Sequence, residues 1–148
     1  MARQVIDPYA PKIWKLAHGR ELELGPKAQI MGVLNVTPDS FSDGGDFVDV
    51  EQALFRAKEM QFQGAGIIDV GGESTRPGAD PIDGETERSR VLPIIENLTR
   101  DGELIISVDT YRAETARQAI QAGAHIVNDV WGCQREPDIA KVAAETGA

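Results

Sequence analysis

The chain has 148 residues, of which 41% are hydrophobic and 26% are charged, a composition typical of a globular protein with one modest core. Its formal net charge of −9 argues against non-specific nucleic-acid binding, which needs a basic surface. No apolar run is long enough to span a membrane, the N-terminus lacks the apolar segment of a signal peptide, and a single cysteine, Cys133, excludes an internal disulfide. We therefore expect a cytoplasmic protein that binds neither nucleic acid nor a membrane.

The chain begins with a predicted β-hairpin over about residues 12–25, in which two apolar stretches flank His18, Gly19 and Arg20. Four units of strand, loop and helix are then predicted over about residues 28–148. Their strands are the apolar runs at residues 28–35, 67–70, 104–109 and 125–128. Helical spacing of apolar residues follows each run, around residues 53–60, 91–98, 113–122 and 139–145.

A Gly-Ala pair recurs at residues 64–65, 123–124 and 147–148. Each pair follows a predicted helix, and the first two precede a strand, so the glycine is expected to end the helix. Strands that alternate with helices predict parallel strands joined by right-handed crossovers. Four such units make half of an eight-unit β/α barrel.

The second helix carries two further expectations. Pro93 lies inside its apolar pattern and should kink the helix or mark an early break. The charged residues Glu85, Glu87, Arg88 and Arg90 are interpreted as its solvated face. Elsewhere, His18 in the hairpin turn and His125 at the start of a strand are interpreted as structural, and Cys133 as an incidental loop residue.

Each predicted strand is mostly apolar up to its last residue or two, where a polar residue stands: Asn35, Asp69, Asp109 or Asn128. Asn and Asp commonly begin loops and cap helices, which is the simpler explanation for any one of them. In a β/α barrel, however, the carboxyl ends of the strands form a single face that carries the active site. Four polar ends out of four therefore favour a shared site.

The loops after these strands carry unusual motifs. Residues 31–45 read MGVLNVTPDSFSDGG, residues 68–78 read IDVGGESTRPG, residues 106–111 read ISVDTY, and residues 127–132 read VNDVWG. In this order and spacing the chain closely resembles the N-terminal half of dihydropteroate synthase, from about Trp14 to its end. The resemblance implies an α/β fold of the (β/α)8 barrel family, represented by the first four β/α units after an N-terminal hairpin.

The resemblance also implies an activity. The family condenses 6-hydroxymethyl-7,8-dihydropterin diphosphate with 4-aminobenzoate, using Mg²⁺, to give 7,8-dihydropteroate and pyrophosphate, and sulfonamides compete with the aminobenzoate. The full-length form is expected to be a homodimer. The family takes further pterin and anion contacts from its second half, so we expect the 148 residues alone to be an inactive part of the enzyme.

Site residues follow from the matching motifs. Asp109 and Asn128 are expected to bind the pterin, because they can accept and donate to its adjacent ring donors and acceptors. Asn35 is expected to bind Mg²⁺, whereas the resemblance assigns Asp69 nothing more specific than packing or support. Catalysis is assigned to Asp39, Phe41, Thr75 and Arg76. The diphosphate and the aminobenzoate are assigned to Thr37, Pro38, Ser40, Ser74, Thr75, Arg76 and Pro77.

Two alternatives remain open at this point. A related pterin-binding methyltransferase would share the pterin-facing Asp and Asn but not the TPDSF and STRPG loops, both of which are present. The other alternative is a non-catalytic, truncated protein that binds pterin weakly or serves as an oligomerising scaffold. Half a barrel would expose two strand edges and an apolar interior, both of which favour association.

Overall fold

A computed structural model describes residues 7, 9–37, 50–74, 80–100 and 102–148. Within these residues the chain forms an antiparallel hairpin followed by a four-stranded parallel sheet with helices between its strands. The elements are β1 (Lys12–Lys15), β2 (Glu21–Leu24), β3 (Met31–Asn35), α1 (Val50–Phe62), β4 (Ile67–Gly71), α2 (Gly84–Thr99), β5 (Ile105–Asp109), α3 (Ala113–Gln121), β6 (Ile126–Asn128) and α4 (Asp138–Thr146). The predicted α/β class is confirmed.

The parallel sheet has the strand order β3-β4-β5-β6, so each strand pairs with the next one along the chain. Successive side chains of a strand point to opposite faces, and the register therefore aligns them in rows across the sheet. One face packs against the helices, where Leu34, Ile68, Val70, Ile106 and Val108 form the main core. On the opposite face the aligned side chains form three rows, and the last row lies at the carboxyl ends of the strands.

The hairpin covers the amino-terminal end of that second face. Leu16 and Leu22 pack against Ile67, Ile105 and Ile126 in a separate apolar cluster. The turn between its strands is fastened to the sheet because the Ala17 amide donates to the His125 carbonyl at 3.3 Å. The hairpin therefore closes the end of the sheet that lies opposite the predicted site.

The recurring Gly-Ala pairs end three of the helices in the same way. Gly64, Gly123 and Gly147 have φ values of 107°, 112° and 74°, a left-handed conformation that favours glycine. The following alanine then donates its amide to the carbonyl five residues earlier, at 3.0, 3.0 and 3.1 Å. The predicted role of these pairs in ending helices is confirmed.

At Pro93 the sequence predicted either a kink or an early break of helix α2. The helix continues from Gly84 to Thr99, so the early break does not occur. Pro93 cannot donate the amide hydrogen bond of a normal turn, but its carbonyl still accepts from the Asn97 side chain at 2.7 Å. The side chains that follow it, Ile94 and Ile95, are fully buried, and this packing holds the helix together across the missing bond.

The outer strand β3 leaves apolar surface uncovered. Met31 and Val33, on the inner face, are 40% and 55% exposed, and Phe55 on the neighbouring helix is 66% exposed. The edge of β3 and helix α1 together border an open groove of about 410 Å³ that contains Asn35. Among the described residues, no helix is long and apolar enough to cross a membrane.

Candidate functional site

The last row of the inner face aligns four residues from four strands. Asn35 pairs in register with Gly71, Gly71 with Asp109, and Asp109 with Asn128. Asn35, Asp109 and Asn128 are each the last residue of their strand, so the predicted convergence of these three positions is confirmed. They form one polar mouth at the carboxyl end of the sheet.

Gly71 keeps the middle of this row open. A methyl group at this position would lie 3.4 Å from Asp109 Oδ2 and 3.6 Å from Asn35 Oδ1. Any larger side chain would therefore occupy the space between the two polar groups. Glycine therefore leaves the space between Asn35 and Asp109 free of a side chain.

Asp69 does not lie in this row, although the sequence placed it at a strand end. Strand β4 continues to Gly71, and Asp69 pairs in register with Ser107 one row deeper. It is 2% exposed, and its Oδ2 accepts a hydrogen bond of 2.9 Å from Asn128 Nδ2. The other oxygen, Asp69 Oδ1, and the Ser107 hydroxyl are buried without a partner among the described residues.

The carboxyl group of Asp109 is held in an acidic environment. Burial, together with the negative charges of Asp69, Glu87, Asp129 and Glu73, raises its pKa from 3.8 to about 6. No salt bridge to Asp109 is formed among the described residues. A ligand that donates hydrogen bonds to this carboxylate would relieve the penalty of ionising it, so the site favours a ligand with N–H donors.

An arginine network lies beside the mouth, and it comprises Glu73, Glu87, Tyr111, Arg112 and Thr115. Arg112 Nη1 contacts Glu73 Oε2 at 2.6 Å and Glu87 Oε2 at 3.1 Å. Its Nη2 donates to the Tyr111 hydroxyl at 2.6 Å and to the Ile82 carbonyl. The Tyr111 hydroxyl also donates to Glu73, and Thr115 donates to Glu87 at 2.7 Å. One arginine therefore joins β4, α2 and the segment after β5.

Glu87 corrects the interpretation of the charged face of α2. It is 1% exposed rather than solvated, and it pairs with Arg112. Arg90 also turns inward, where it donates to the Gly72 carbonyl at 2.9 Å. The signal was present in the sequence, because Glu87 lies four residues before the buried Val91 and therefore on the same helical face. A charged residue in an apolar stripe indicates a buried partner.

The remaining predicted site residues are only partly described. Thr37 and Ser74 follow β3 and β4 at the mouth, and both are half-buried. The predicted residues Pro38, Asp39, Ser40, Phe41, Thr75, Arg76 and Pro77 lie outside the described residues. Within the described ranges, no group of three His, Cys, Asp or Glu side chains is arranged to hold a metal ion. Asn35 is exposed at the mouth.

The two histidines lie at the other end of the sheet and support the fold, as predicted. His125 Nδ1 accepts from the Ile106 amide at 3.0 Å, and His18 Nε2 bonds to the Ile120 carbonyl at 2.8 Å. Burial, together with the positive charges of Arg20 and His18, lowers the pKa of His125 from 6.5 to about 4. A neutral ring is needed for Nδ1 to accept, so His125 acts as a structural acceptor.

Comparison with known proteins identifies relatives over most of the chain. Residues 31–148 of the chain match the family of pterin binding enzymes. The dihydropteroate synthase of Bacillus subtilis is 56% identical over 119 residues, which cover 80% of this chain and 42% of that protein. The dihydropteroate synthase of Clostridium beijerinckii is 53% identical over 126 residues, which cover 85% of this chain and 47% of that protein.

Solved structures show the same likeness. Dihydropteroate synthase from Xanthomonas albilineans with 4-aminobenzoic acid has a TM-score of 0.80 and 43% identity, covering 91% of this chain and 49% of that one. The Clostridium difficile enzyme with pteroic acid has a TM-score of 0.79 and 49% identity, and the match covers 83% of this chain and 47% of that one. The chain spans about half the length of these relatives. It belongs to the pterin binding enzyme family.

Proposed function

We propose that the protein acts in dihydropteroate synthesis, and that the described residues supply the pterin-binding wall of its site. The observation that carries this proposal is the row formed by Asn35, Gly71, Asp109 and Asn128 at the carboxyl end of a parallel sheet. Ligands of β/α folds bind at this end of the strands. Relatives that are 53% and 56% identical to the chain are dihydropteroate synthases by name.

Recognition of the pterin follows from the chemistry of the mouth. A pterin ring carries N–H donors along one edge, and Asp109 and the Asn128 amide oxygen are acceptors on neighbouring strands. Hydrogen bonds from the ring would favour the ionised form of Asp109, whose pKa is raised to about 6 in the free protein. An analogue that lacks a ring donor would leave a buried acceptor unpaired and would bind less well.

The second substrate and the diphosphate are proposed to bind across the loops that follow β3 and β4. Thr37 and Ser74 begin these loops at the mouth and could donate hydroxyl hydrogen bonds to an anion. The assignments of Pro38, Asp39, Ser40 and Phe41 in the first loop, and of Thr75, Arg76 and Pro77 in the second, rest on the motifs that resemble the family. Arginine suits phosphate oxygens because its planar fork can make two parallel hydrogen bonds.

Mg²⁺ is proposed as the cofactor, with Asn35 as its protein ligand. An exposed amide oxygen beside the cleft fits this ion, which prefers oxygen ligands and is commonly held by one or two side chains together with water and substrate phosphates. When bound, Mg²⁺ would stabilise the negative charge that develops on the departing diphosphate. Asn35 would orient that ion, whereas Asp109 and Asn128 would hold the ring from which the diphosphate leaves.

The two alternatives receive no specific support. A methyltransferase role would not need the TPDSF and STRPG loops, and the named relatives are synthases. A non-catalytic role for the 148 residues alone stays compatible with the uncovered apolar surface along β3. The homodimeric state of a full-length form and the cytoplasmic location stay predictions.

Calorimetry and a synthase assay test the proposal together. We expect the 148-residue chain to bind 6-hydroxymethyl-7,8-dihydropterin diphosphate weakly and to form no appreciable dihydropteroate, because only one wall of the site is present. The chain joined to the remaining part of the B. subtilis relative should make dihydropteroate in the presence of Mg²⁺. An inactive chimera that is folded and binds no pterin would contradict the proposed function, and full activity of the 148 residues alone would contradict the need for a second half.

A further inference from the structure

Asp69 is a buried carboxyl group that the proposed chemistry does not use. It lies one row below the mouth, is 2% exposed, and forms no salt bridge within the described ranges. One of its oxygens accepts from Asn128, and the other has no hydrogen-bond partner among the described residues. Burying a carboxyl group with a single hydrogen bond is costly, so its position calls for a functional explanation.

The contact with Asn128 decides how that amide is turned. A carboxamide has a donor end and an acceptor end that are nearly equal in shape, and a rotation of 180° exchanges them. Asn128 Nδ2 lies 2.9 Å from Asp69 Oδ2, and the opposite orientation would bring two oxygen acceptors together at that distance. Asp69 therefore holds the nitrogen inward, so the oxygen is the end left for a ligand.

We propose that Asp69 is a positioning residue that turns the Asn128 amide oxygen toward the mouth, so that it accepts a hydrogen bond from a ligand N–H. The inference rests on the proposed pterin site and deepens it. With Asn128 held this way, its oxygen and the carboxylate of Asp109 form a pair of acceptors on neighbouring strands. Such a pair matches a ring edge with adjacent N–H donors and rejects an edge with acceptors.

Ser107 offers a matched control. It occupies the same row as Asp69 on the adjacent strand, is fully buried, and has a hydroxyl with no partner among the described residues. It makes no hydrogen bond to Asn128. Ser107→Ala therefore changes a buried polar group in the same row without touching the amide contact.

Nuclear magnetic resonance of the Asn128 side-chain amide in the 148-residue chain tests the contact itself. In the unaltered chain its two protons should have well-separated shifts and slow exchange with solvent. Asp69→Ala should move both shifts toward those of an exposed asparagine, and Asp69→Asn should cause a smaller change because its oxygen can still accept. Ser107→Ala should leave them unchanged. Identical Asn128 signals in the unaltered chain and in both Asp69 variants would overturn the proposal.

Calorimetry with 6-hydroxymethyl-7,8-dihydropterin diphosphate tests the consequence. Asp69→Ala should weaken binding by about ten- to a hundredfold, Asp69→Asn by less, and Ser107→Ala by under about threefold. If Asp69→Ala does not fold, the Asp69→Asn variant decides the question. An affinity of that variant for the pterin diphosphate equal to the affinity of the unaltered chain would overturn the proposal. If neither the unaltered chain nor its chimera with the B. subtilis half binds pterin, the proposed function fails, and the Asn128 signals alone decide whether Asp69 fixes the amide.

Discussion

Two groups of acidic residues flank the carboxyl end of β5, and they differ in how their charge is balanced. In the arginine network, Glu73 and Glu87 share the guanidinium of Arg112 at 2.6 and 3.1 Å. At the mouth and one row below it, Asp109 and Asp69 form no salt bridge among the described residues, and Asn128 is the only one of those residues that donates to Asp69. Both groups are largely removed from solvent. They therefore differ in whether a cation balances the carboxylate charges, and not in burial.

This difference separates a structural group from a binding group. A buried carboxylate that is paired with an arginine needs no ligand, and the bonds it makes hold elements together. A buried carboxyl without a cation raises the free energy of the folded protein and has unused capacity for hydrogen bonds. The mouth is therefore poised for a donor-bearing ligand, while the arginine network fixes the segments around it.

Removing the arginine should have the largest effect. Arg112→Met leaves Glu73 and Glu87 buried without a cation, and we expect the free energy of unfolding to fall by about 3–5 kcal/mol. Urea denaturation followed by circular dichroism measures this. Arg117→Met is the matched control, because the Arg117–Glu145 pair is exposed and should contribute under about 1 kcal/mol. Equal losses in the two variants would show that burial of the network adds nothing.

Removing the carboxylate from the mouth should affect the ligand rather than the fold. Asp109→Ala should weaken binding of the pterin diphosphate by at least about a hundredfold, because a charge-assisted acceptor for the ring donors is lost. Calorimetry on the chimera with the B. subtilis half, which presents both walls of the site, gives the best signal. Thermal melting of the same variant should show an intact fold. Unchanged pterin affinity would remove Asp109 from the proposed site.

The charge on Asp109 should also be destabilising at neutral pH. Its folded pKa of about 6 lies above the ordinary value of 3.8, so the folded state holds the proton more tightly and loses stability as pH rises through this interval. Asp109→Asn should therefore stabilise the chain by about 1–2 kcal/mol at pH 7, after allowance for solvent screening. The gain should vanish as the pH falls below about 4, because Asp109 then becomes protonated, and so neutral, in the unfolded state as well as in the folded state. Denaturation at pH 3.5, 5 and 7 measures it, and a gain independent of pH would contradict this origin.

The smallest change concerns the tyrosine at the edge of the network. The Tyr111 hydroxyl accepts from Arg112 at 2.6 Å and donates to Glu73 at 3.1 Å, while its ring lies under Arg135 with 3.8 Å to the centroid. Tyr111→Phe removes the hydroxyl but keeps the ring, and we expect a loss of about 0.5–1.5 kcal/mol. A loss as large as that of Arg112→Met would mean that the hydroxyl, and not the guanidinium, holds the network together.

The sequence by itself determined the parts of this protein that depend on neighbouring residues. Apolar runs and helical spacing located the strands and helices, and the Gly-Ala pairs marked the helix ends, because a left-handed residue is a local requirement. Three of the four polar strand ends were also placed correctly, since a parallel sheet brings the carboxyl ends of its strands together. The motifs in the loops then indicated the family.

Only the tertiary structure decided which polar residues are paired. Asp69 meets Asn128 across 59 positions of sequence, and Arg112 meets Glu73 across 39. No local pattern encodes such contacts, because they depend on the register of the sheet and on the packing of α2 against it. The sequence placed Asp69 at a strand end and Glu87 in solvent. In the structure, β4 continues for two residues after Asp69, which puts Asp69 one row below the mouth, and the buried face of α2 includes Glu87.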